Sequence, residues 1–268
     1  MKVMHKVIIV IPIYKVSLSE FEEIALQQCI SILGHYTIVF IAPESLNTDT
    51  LEDTYGIHTV VRFKDDYFKG LEGYNRLMLS PEFYERFLQY NYLLIYQPDA
   101  YVFSDKLHEW CNKGYDYIGA PWIPSAKYNQ LIHRKELAIN QFFSRLLSTY
   151  NTRSNYFQTG NGGFSLRNTR SCYQITLSNQ KHISEFLKHS SYHYGEDVYW
   201  GIHANRKKEQ LHIPGYKEAL GFAFENHPHL LYQYNEEQLP FGAHAWYKGD
   251  KLNFWKPFIP QLNKIDTL

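Results

Sequence analysis

The sequence VIIVIPI (residues 7–13) is a continuous run of apolar, mostly β-branched residues. Such a run is typical of a strand that is covered on both of its faces. Ser19 and Glu22 form a capping box at the start of a segment with helical spacing, residues 21–33, and a second apolar run, YTIVFIA (residues 36–42), follows. The order strand, helix, strand predicts parallel strands joined by a right-handed crossover, and therefore an α/β fold.

The later segments extend this pattern. Apolar spacing predicts a helix over residues 71–90 with a break at Pro81, and strands over residues 92–103 and 115–121. Weaker patterns predict a short helix capped by Ser104 and ending near Gly114, a helix over residues 136–150, a glycine-interrupted strand over residues 157–167, and a loop that leads into a helix over residues 194–206.

The composition excludes several classes of protein. Of 268 residues, 44% are hydrophobic, which allows a sizeable core, and 27 basic residues balance 27 acidic ones, so no basic field indicates a nucleic-acid partner. Three cysteines without metal or redox spacing indicate free thiols in a reducing compartment. The first apolar run contains a proline and lacks a cleavage site, and no stretch approaches the roughly 20 apolar residues of a membrane span. We expect a soluble cytoplasmic protein, a location compatible with peripheral membrane association.

An acidic residue interrupts the stretch YLLIYQPDAYVFSD (residues 92–105). In open α/β sheets, ligands lie outside the carboxyl ends of the strands, where Asp99 is well placed to hold a divalent cation that bridges substrate phosphates. The alternative is an Asp in a turn after Pro98 that hydrogen-bonds its own backbone. Both interpretations stay open on this stretch alone.

Three glycines occur within four residues in GNGGFSLR (residues 160–167). They allow close approach of the backbone to a ligand, although the spacing matches neither phosphate-loop nor dinucleotide-binding motifs. A tight hairpin is the alternative.

The acid pair Glu196 and Asp197 follows a glycine in YGEDVYW. A carboxylate in a partly dry cleft can act as a general base, while acids in the first turn of a helix also offset its dipole. Nearer the C-terminus, His244 lies among apolar residues in LPFGAHAWYK (residues 239–248), a pattern more typical of a core histidine than of a metal ligand.

The order of these motifs resembles that of the GT-A nucleotide-sugar glycosyltransferases. Asn75-Arg76 on a helix, Gln97-x-Asp99 after a strand, a Gly-Gly turn, an acid pair and a late histidine follow one another as in inverting β-1,4-galactosyltransferase-like enzymes. The chain also resembles a bacterial and fungal family described only as a domain of unknown function. EGYNRLMLS, YQPDAYVFSD, YDYIGAPW, GNGGFSLR, GEDVYW and PFGAHAW carry that second resemblance, over roughly residues 5–258.

The GT-A resemblance implies a role for each matching position. Gln97 stands where the first Asp of an Asp-x-Asp motif would be, so one negative charge is missing there. The resemblance further implies that Asp99 and His244 bind Mn²⁺ or Mg²⁺. It places Pro12, Ile13 and Tyr14 at the nucleotide base and ribose, Asn75 and Arg76 near the diphosphate, and Gly162 and Gly163 opposite the donor sugar. Asp197 would be the catalytic base and Glu196 its neighbour. Trp122, Trp200 and Trp246 lie near these motifs, where they would either stack on sugar rings or pack in the core.

We therefore predict a single GT-A-like α/β domain with a central, mostly parallel sheet flanked by helices. Residues 1–121 would form the nucleotide-binding half, residues 122–156 an insertion or lid, and residues 157–268 the acceptor and catalytic half. The predicted activity is that of a metal-dependent, inverting hexosyltransferase that moves a sugar from a nucleotide diphosphate sugar, by class frequency UDP-linked, to a glycan or glycoconjugate. The rival hypotheses are a carbohydrate-binding protein without activity on the same fold and a metal-dependent phosphoesterase built from Asp99, Asp197 and His244.

Overall fold

Two β-sheets organise the chain in the computed structural model, which describes residues 5–125, 131–146, 152–189 and 194–267. The larger sheet has six strands in the order β3-β2-β1-β4-β7-β6, and the smaller has three in the order β5-β9-β8. The strands are β1 (Val7–Pro12), β2 (Thr37–Pro43), β3 (Val60–Phe63), β4 (Tyr92–Tyr96), β5 (Ala100–Val102), β6 (Tyr117–Ile118), β7 (Phe164–Asn168), β8 (Ala223–Phe224) and β9 (Gly242–His244).

Helices flank these sheets. They are α1 (Glu20–Leu33), α2 (Asp49–Tyr55), α3 (Gly70–Met78), α4 (Pro81–Glu85), α5 (Leu107–Asn112), α6 (Leu131–Leu146), α7 (Thr169–Ser178), α8 (Gln180–Phe186), α9 (Glu196–Val198), α10 (Tyr216–Ala219), α11 (Pro228–Tyr234) and α12 (Lys251–Trp255). Short 3₁₀ turns cover Asp65–Phe68, Thr152–Asn155, Lys256–Phe258 and Pro260–Thr267, and a π-helical turn covers Tyr199–His203. No helix in the described ranges is long and apolar enough to cross a membrane.

The predicted β-α-β opening is confirmed. Strand β1 pairs in parallel with both β2 and β4, and β2 pairs in parallel with β3. Helix α1 begins after Ser19, whose hydroxyl accepts a hydrogen bond from the backbone of Glu22 while the Glu22 carboxylate accepts one from the backbone of Ser19. Since only β7 runs against its neighbours β4 and β6, the sheet is mostly parallel, as predicted.

Alternate side chains of β1 enter two different hydrophobic layers. Ile9 and Ile11 pack on one face of the sheet, against α1 and the smaller sheet, while Ile8 and Val10 pack on the other face. All four are almost completely buried, and full burial of one such side chain contributes about 1.5–3 kcal/mol. Burial on both faces is the physical reason that β1 is apolar without alternation.

The stretch predicted as one strand over residues 92–103 forms two strands in different sheets. Strand β4 ends at Tyr96, and β5 begins at Ala100, which lies opposite His244 on β9. In between, the backbone N–H of Gln97 donates to the carbonyl of Gly163. The chain therefore changes sheets at Gln97-Pro98-Asp99, so Asp99 lies between the sheets and not within a strand.

Two other local predictions differ from the structure, and two elements were not predicted. Ser104 does not cap α5, because the carboxylate of Asp105 accepts the hydrogen bond from the backbone of Leu107 instead. Helix α2 and strand β3 had no prediction, since both are short and only partly buried. The helix predicted over residues 136–150 is α6, which begins earlier, at Leu131. Residues 147–150, and residues 126–130 of the predicted insertion, lie outside the described part of the chain.

Candidate functional site

A cleft of about 510 Å³ opens at the carboxyl ends of β1 and β4, and we call it the first cleft. Pro12 and Tyr14 line it from the end of β1, and Gln97 and Asp99 line it from the crossing between the sheets. Its remaining wall is largely aromatic and apolar, with Phe68, Leu71, Tyr74 and Tyr247, and Lys248 closes its polar end. An apolar wall with a few convergent polar groups is the usual composition of a small-molecule site.

Asp99 is the buried carboxylate of the first cleft, with 8% of its surface exposed. Its Oδ1 atom lies 3.1 Å from Nε2 of His244, and its Oδ2 atom lies 2.5 Å from Nζ of Lys248. Burial alone would raise the pKa of Asp99, but the charges and hydrogen bonds of His244 and Lys248 outweigh burial and hold that pKa well below its usual range. Asp99 is therefore an ionised carboxylate with a cationic group on each oxygen.

His244 is placed between two carboxylates by the end of β9. Its Nε2 atom faces Asp99 and also lies 3.0 Å from Oε1 of Gln97, while its Nδ1 atom lies 3.3 Å from Oε1 of Glu225. Burial disfavours the protonated ring, yet the Asp99 and Glu225 carboxylates raise the pKa of His244 to about 10. Because both ring nitrogens face acceptor atoms, His244 is a doubly protonated cation.

The Gly162-Gly163 turn packs directly against this histidine and against the acid pair. A Cβ atom on Gly163 would lie 2.1 Å from Nε2 of His244, and one on Gly162 would lie 2.0 Å from Oε1 of Glu196. No larger residue fits at either position without moving those side chains. The turn is thus a spacer between His244 and Glu196, and its predicted contact with a donor sugar stays a prediction.

Glu196 is held within a buried ion pair. Its Oε1 atom lies 2.9 Å from Nη2 of Arg167, and the exposed fractions of these side chains are 4% and 0%. Arg167 also donates to the hydroxyl of Tyr84 at 3.0 Å, and the side-chain oxygen of Asn75 accepts a hydrogen bond from the backbone N–H of Glu196 at 3.0 Å. Asn75 and Arg167 therefore fix the start of α9 and with it the orientation of Asp197.

Asp197 lines a separate cleft of about 420 Å³, which we call the second cleft. Trp122, Asn161 and Glu225 line the same cleft, as does Tyr156. Burial, and then the negative charges of Glu196 and Glu225, raise the pKa of Asp197 to about 7. A carboxylate with that pKa can accept a proton near neutral pH, which is the property required of a general base.

His244 links the walls of the two clefts. Asp99 lines the first cleft and Glu225 lines the second, and the histidine ring contacts both carboxylates. Such an arrangement suits a reaction between two substrates.

Several predicted residues lie elsewhere. Arg76 lies along a different groove, with Thr176 and Gln180, and donates to the backbone carbonyl of Asp66. Ile13 is buried in the core beside the first cleft, and Trp200 and Trp246 are completely buried, so core packing accounts for both tryptophans. Of the three tryptophans considered for sugar stacking, only Trp122 lines a cleft.

Sequence reasoning missed Lys248 and Glu225. Lys248 comes four residues after His244, and Glu225 directly follows β8. Strand β8 has only two residues and pairs with a strand of three, so no periodicity marked it in advance. Lys248 and Glu225 can be recognised as site residues only from the pairing of strands in the smaller sheet.

The divalent metal implied by the resemblance would require Asp99 and His244 as ligands. As arranged, each oxygen of Asp99 has a cationic partner, and His244 offers no unprotonated nitrogen to an ion. Among the described residues, no group of three or more His, Cys, Asp or Glu could hold a metal ion. The residues around Asp99 therefore do not fit a resident divalent metal in this arrangement. The phosphoesterase hypothesis gains no support either, because Asp197 and Asp99 line different clefts.

Comparison with known proteins identifies the family and the fold. The family model described as "Protein of unknown function (DUF5672)" matches residues 58–244, and no curated protein matches the chain by sequence. Among solved structures, an active-site mutant of the galactosyltransferase LgtC is similar over 95% of this chain and 95% of its own, with 12% identity and a TM-score of 0.53. Mouse xyloside xylosyltransferase 1 is similar over 88% of this chain and 96% of its own, with 11% identity and a TM-score of 0.50. The fold is therefore that of the GT-A glycosyltransferases, as predicted.

Proposed function

Since this chain belongs to the family of unknown function DUF5672, we propose its function from the site: it is a glycosyltransferase that moves a sugar from a nucleotide diphosphate sugar to a hydroxyl of a glycan or glycoconjugate. The observation that carries the proposal is that His244 links the walls of two clefts, one with an aspartate paired to Lys248 and the other with a carboxylate whose pKa is about 7. The GT-A fold and the two sugar transferases that share it support the same activity.

The first cleft is the proposed donor site. Tyr14, which is 57% exposed, and the aromatic side chains of Tyr74 and Tyr247 offer flat surfaces for a nucleoside. Gln97 can hydrogen-bond a ribose hydroxyl, and Lys248 places its charge at the polar end, where a diphosphate would lie. UDP is the nucleotide we propose, from its frequency among such enzymes.

The second cleft is the proposed acceptor site. Trp122 and Tyr156 offer aromatic faces to a sugar ring, and Asn161 offers an amide. Asp197 takes the proton of the attacking hydroxyl as the bond to the anomeric carbon forms. Glu196 is not the base in this proposal, because its carboxylate is bound to Arg167.

The residues favour a single displacement. Transfer at an anomeric carbon passes through an oxocarbenium-like state while the nucleoside diphosphate departs, so positive charge is needed at the diphosphate and a base on the opposite face of the sugar. With Asp197 as the base of this proposal, we propose inversion of configuration. The metal dependence implied by the resemblance is not part of this proposal, because His244 and Lys248 already contact the two oxygens of Asp99.

The test is incubation of the purified protein with a panel of UDP-, GDP-, ADP- and CDP-sugars, with and without Mn²⁺. A glycosyltransferase slowly hydrolyses one donor, and the free nucleoside diphosphate is measured by chromatography. Binding of a donor without any release would identify a carbohydrate- or nucleotide-binding protein. Cleavage of generic phosphoesters, such as p-nitrophenyl phosphate, would identify a phosphoesterase and overturn the proposal.

A further inference from the structure

We propose that Lys248 is the built-in cation of the diphosphate site, and that nucleoside diphosphates bind to the first cleft without a divalent metal. This inference rests on the proposed function, because it concerns the ligand of the proposed donor site. It departs from the metal dependence that the GT-A resemblance implies.

The ammonium group of Lys248 lies at the polar end of the first cleft. Its Nζ atom is 2.5 Å from Oδ2 of Asp99, and 58% of its side chain is exposed. A lysine ammonium has three N–H donors, and the contact with Asp99 orients one of them. Because the side chain is more than half exposed, a phosphate oxygen can reach the remaining donors. Among the described residues that line the first cleft, Lys248 is the only basic one.

A tight turn fixes Lys248 over Asp99. Ala245 has a φ of 49°, in the left-handed region, and its carbonyl accepts a hydrogen bond from the backbone N–H of Lys248 at 3.2 Å. Between them, the Trp246 ring is completely buried and makes edge contacts with the rings of Phe21 and Tyr101. The position of the lysine therefore follows from the packed core beneath it, and a charge held in place before the ligand binds does not have to be reorganised.

Both carboxylate oxygens of Asp99 already have a nitrogen partner. Nε2 of His244 lies 3.1 Å from Oδ1, and Nζ of Lys248 lies 2.5 Å from Oδ2. Gln97 adds no charge where an acidic residue would favour a metal. A divalent ion bound to Asp99 would have to displace one of these nitrogen partners, and it would lie next to the ammonium charge of Lys248. A diphosphate needs no such displacement, because lysine binds phosphate as a point charge.

The experiment is isothermal titration of UDP, GDP, ADP and CDP into the protein, first in EDTA and then in Mn²⁺. Three variants are compared with the parent: Lys248→Ala, Lys248→Gln, which keeps most of the side-chain stem, and Lys113→Ala as a matched control. Lys113 also pairs with a carboxylate, Glu218, at 2.6 Å, but it lies directly after α5 and does not line the first cleft. Circular dichroism checks that each variant is folded.

We expect the parent to bind one of these nucleotides in EDTA, with an affinity within about threefold of that in Mn²⁺. Loss of one charged hydrogen-bond donor should weaken binding in EDTA by about 10- to 100-fold in both Lys248 variants, while Lys113→Ala stays like the parent. In Lys248→Ala, Oδ2 of Asp99 has lost its cation, so added Mn²⁺ should now restore part of the affinity.

Two results would overturn the inference alone: nucleotide binding by the parent only in the presence of Mn²⁺, or binding in EDTA by the Lys248 variants that equals the parent's. Absence of binding of every nucleotide under both conditions would overturn the proposed function together with the inference.

Discussion

The two clefts hold aspartates in opposite electrostatic surroundings. Asp99 in the first cleft has a cation on each oxygen, and its pKa lies well below the usual range. Asp197 in the second cleft accepts a hydrogen bond from the backbone of Val198, but its charged neighbours are the carboxylates of Glu196 and Glu225, and its pKa is raised to about 7. The same side chain is therefore a permanent anion in one cleft and a proton acceptor in the other.

The charged partners of each acid therefore decide whether it remains an anion or accepts a proton. Asp99 orients Lys248 and His244 and does not need to exchange a proton. Glu196, which adjoins Asp197 in sequence, is neutralised by Arg167 and fixes the backbone of α9. Of these three acids, only Asp197 combines a place in a cleft with a pKa near neutrality.

The largest expected effect is on catalysis. Asp197→Asn keeps the shape of the side chain and removes the proton acceptor, so kcat should fall by about 10²- to 10⁴-fold, the usual contribution of a general base. Donor affinity should change little, because Lys248 and Asp99 are untouched. Steady-state kinetics with the accepted donor, together with UDP titration, separate the two quantities. Near-parent turnover in the variant would show that Asp197 is only a helix-start acid.

The next effect is on stability. Glu196→Gln leaves the buried guanidinium of Arg167 without a counter-charge, which should lower the free energy of unfolding by about 3–5 kcal/mol. Glu185→Gln is the matched control, because Glu185 pairs with Lys188 at 2.8 Å on the surface, and its loss should change stability little. Urea unfolding of both variants measures the difference. Equal unfolding midpoints would mean that the Glu196–Arg167 pair is not structural.

A third effect concerns the pH dependence of the reaction. The pKa of Asp197 is about 7, so its basic form predominates above pH 7, and kcat/KM should fall about tenfold per pH unit below that value. The residual activity of Asp197→Asn should lack this limb. A parent profile that stays flat down to pH 5 would place the ionisation elsewhere.

The smallest expected effect is a change in the pKa of His244. The ring protons of His244, followed by NMR, should titrate near pH 10 in the parent and at a lower pH in Asp99→Asn. Because the folded-state pKa is raised above the ordinary value for histidine, the stability from these contacts is complete below that ordinary value and is lost as the pH rises towards 10. An unchanged titration in Asp99→Asn would show that Asp99 does not hold the imidazolium.

Most of the fold could be predicted because its signals are local. The apolar run of β1, the capping box of α1 and the apolar run of β2 each lie within a short stretch, and the order of the motifs then indicated the GT-A class. The break at Gln97-Pro98-Asp99 was visible, but its cause was not. The apolar residues after it belong to β5, which pairs with β9 some 140 residues later in the chain.

The site could be predicted only where an acid or a glycine marked it. Asp99, Asp197 and His244 come from motifs, whereas Lys248 is an ordinary exposed lysine in sequence and becomes a site residue through the turn after β9. Likewise, the sequence indicated that Gly162 and Gly163 allow a close approach of the backbone. It did not indicate that Glu196 and His244 occupy the space beside them. Long-range approach of side chains leaves no periodic signal in a sequence.

The stereochemistry of the reaction tests the central claim most directly, namely that Asp197 acts across from a departing diphosphate in a single displacement. An NMR time course with the accepted donor should record the anomeric proton of the released or transferred sugar at early times, before the two anomers of the free sugar equilibrate. The account predicts a configuration opposite to that of the donor. A product that retains the donor's configuration would contradict it and would require a second displacement by a group other than Asp197.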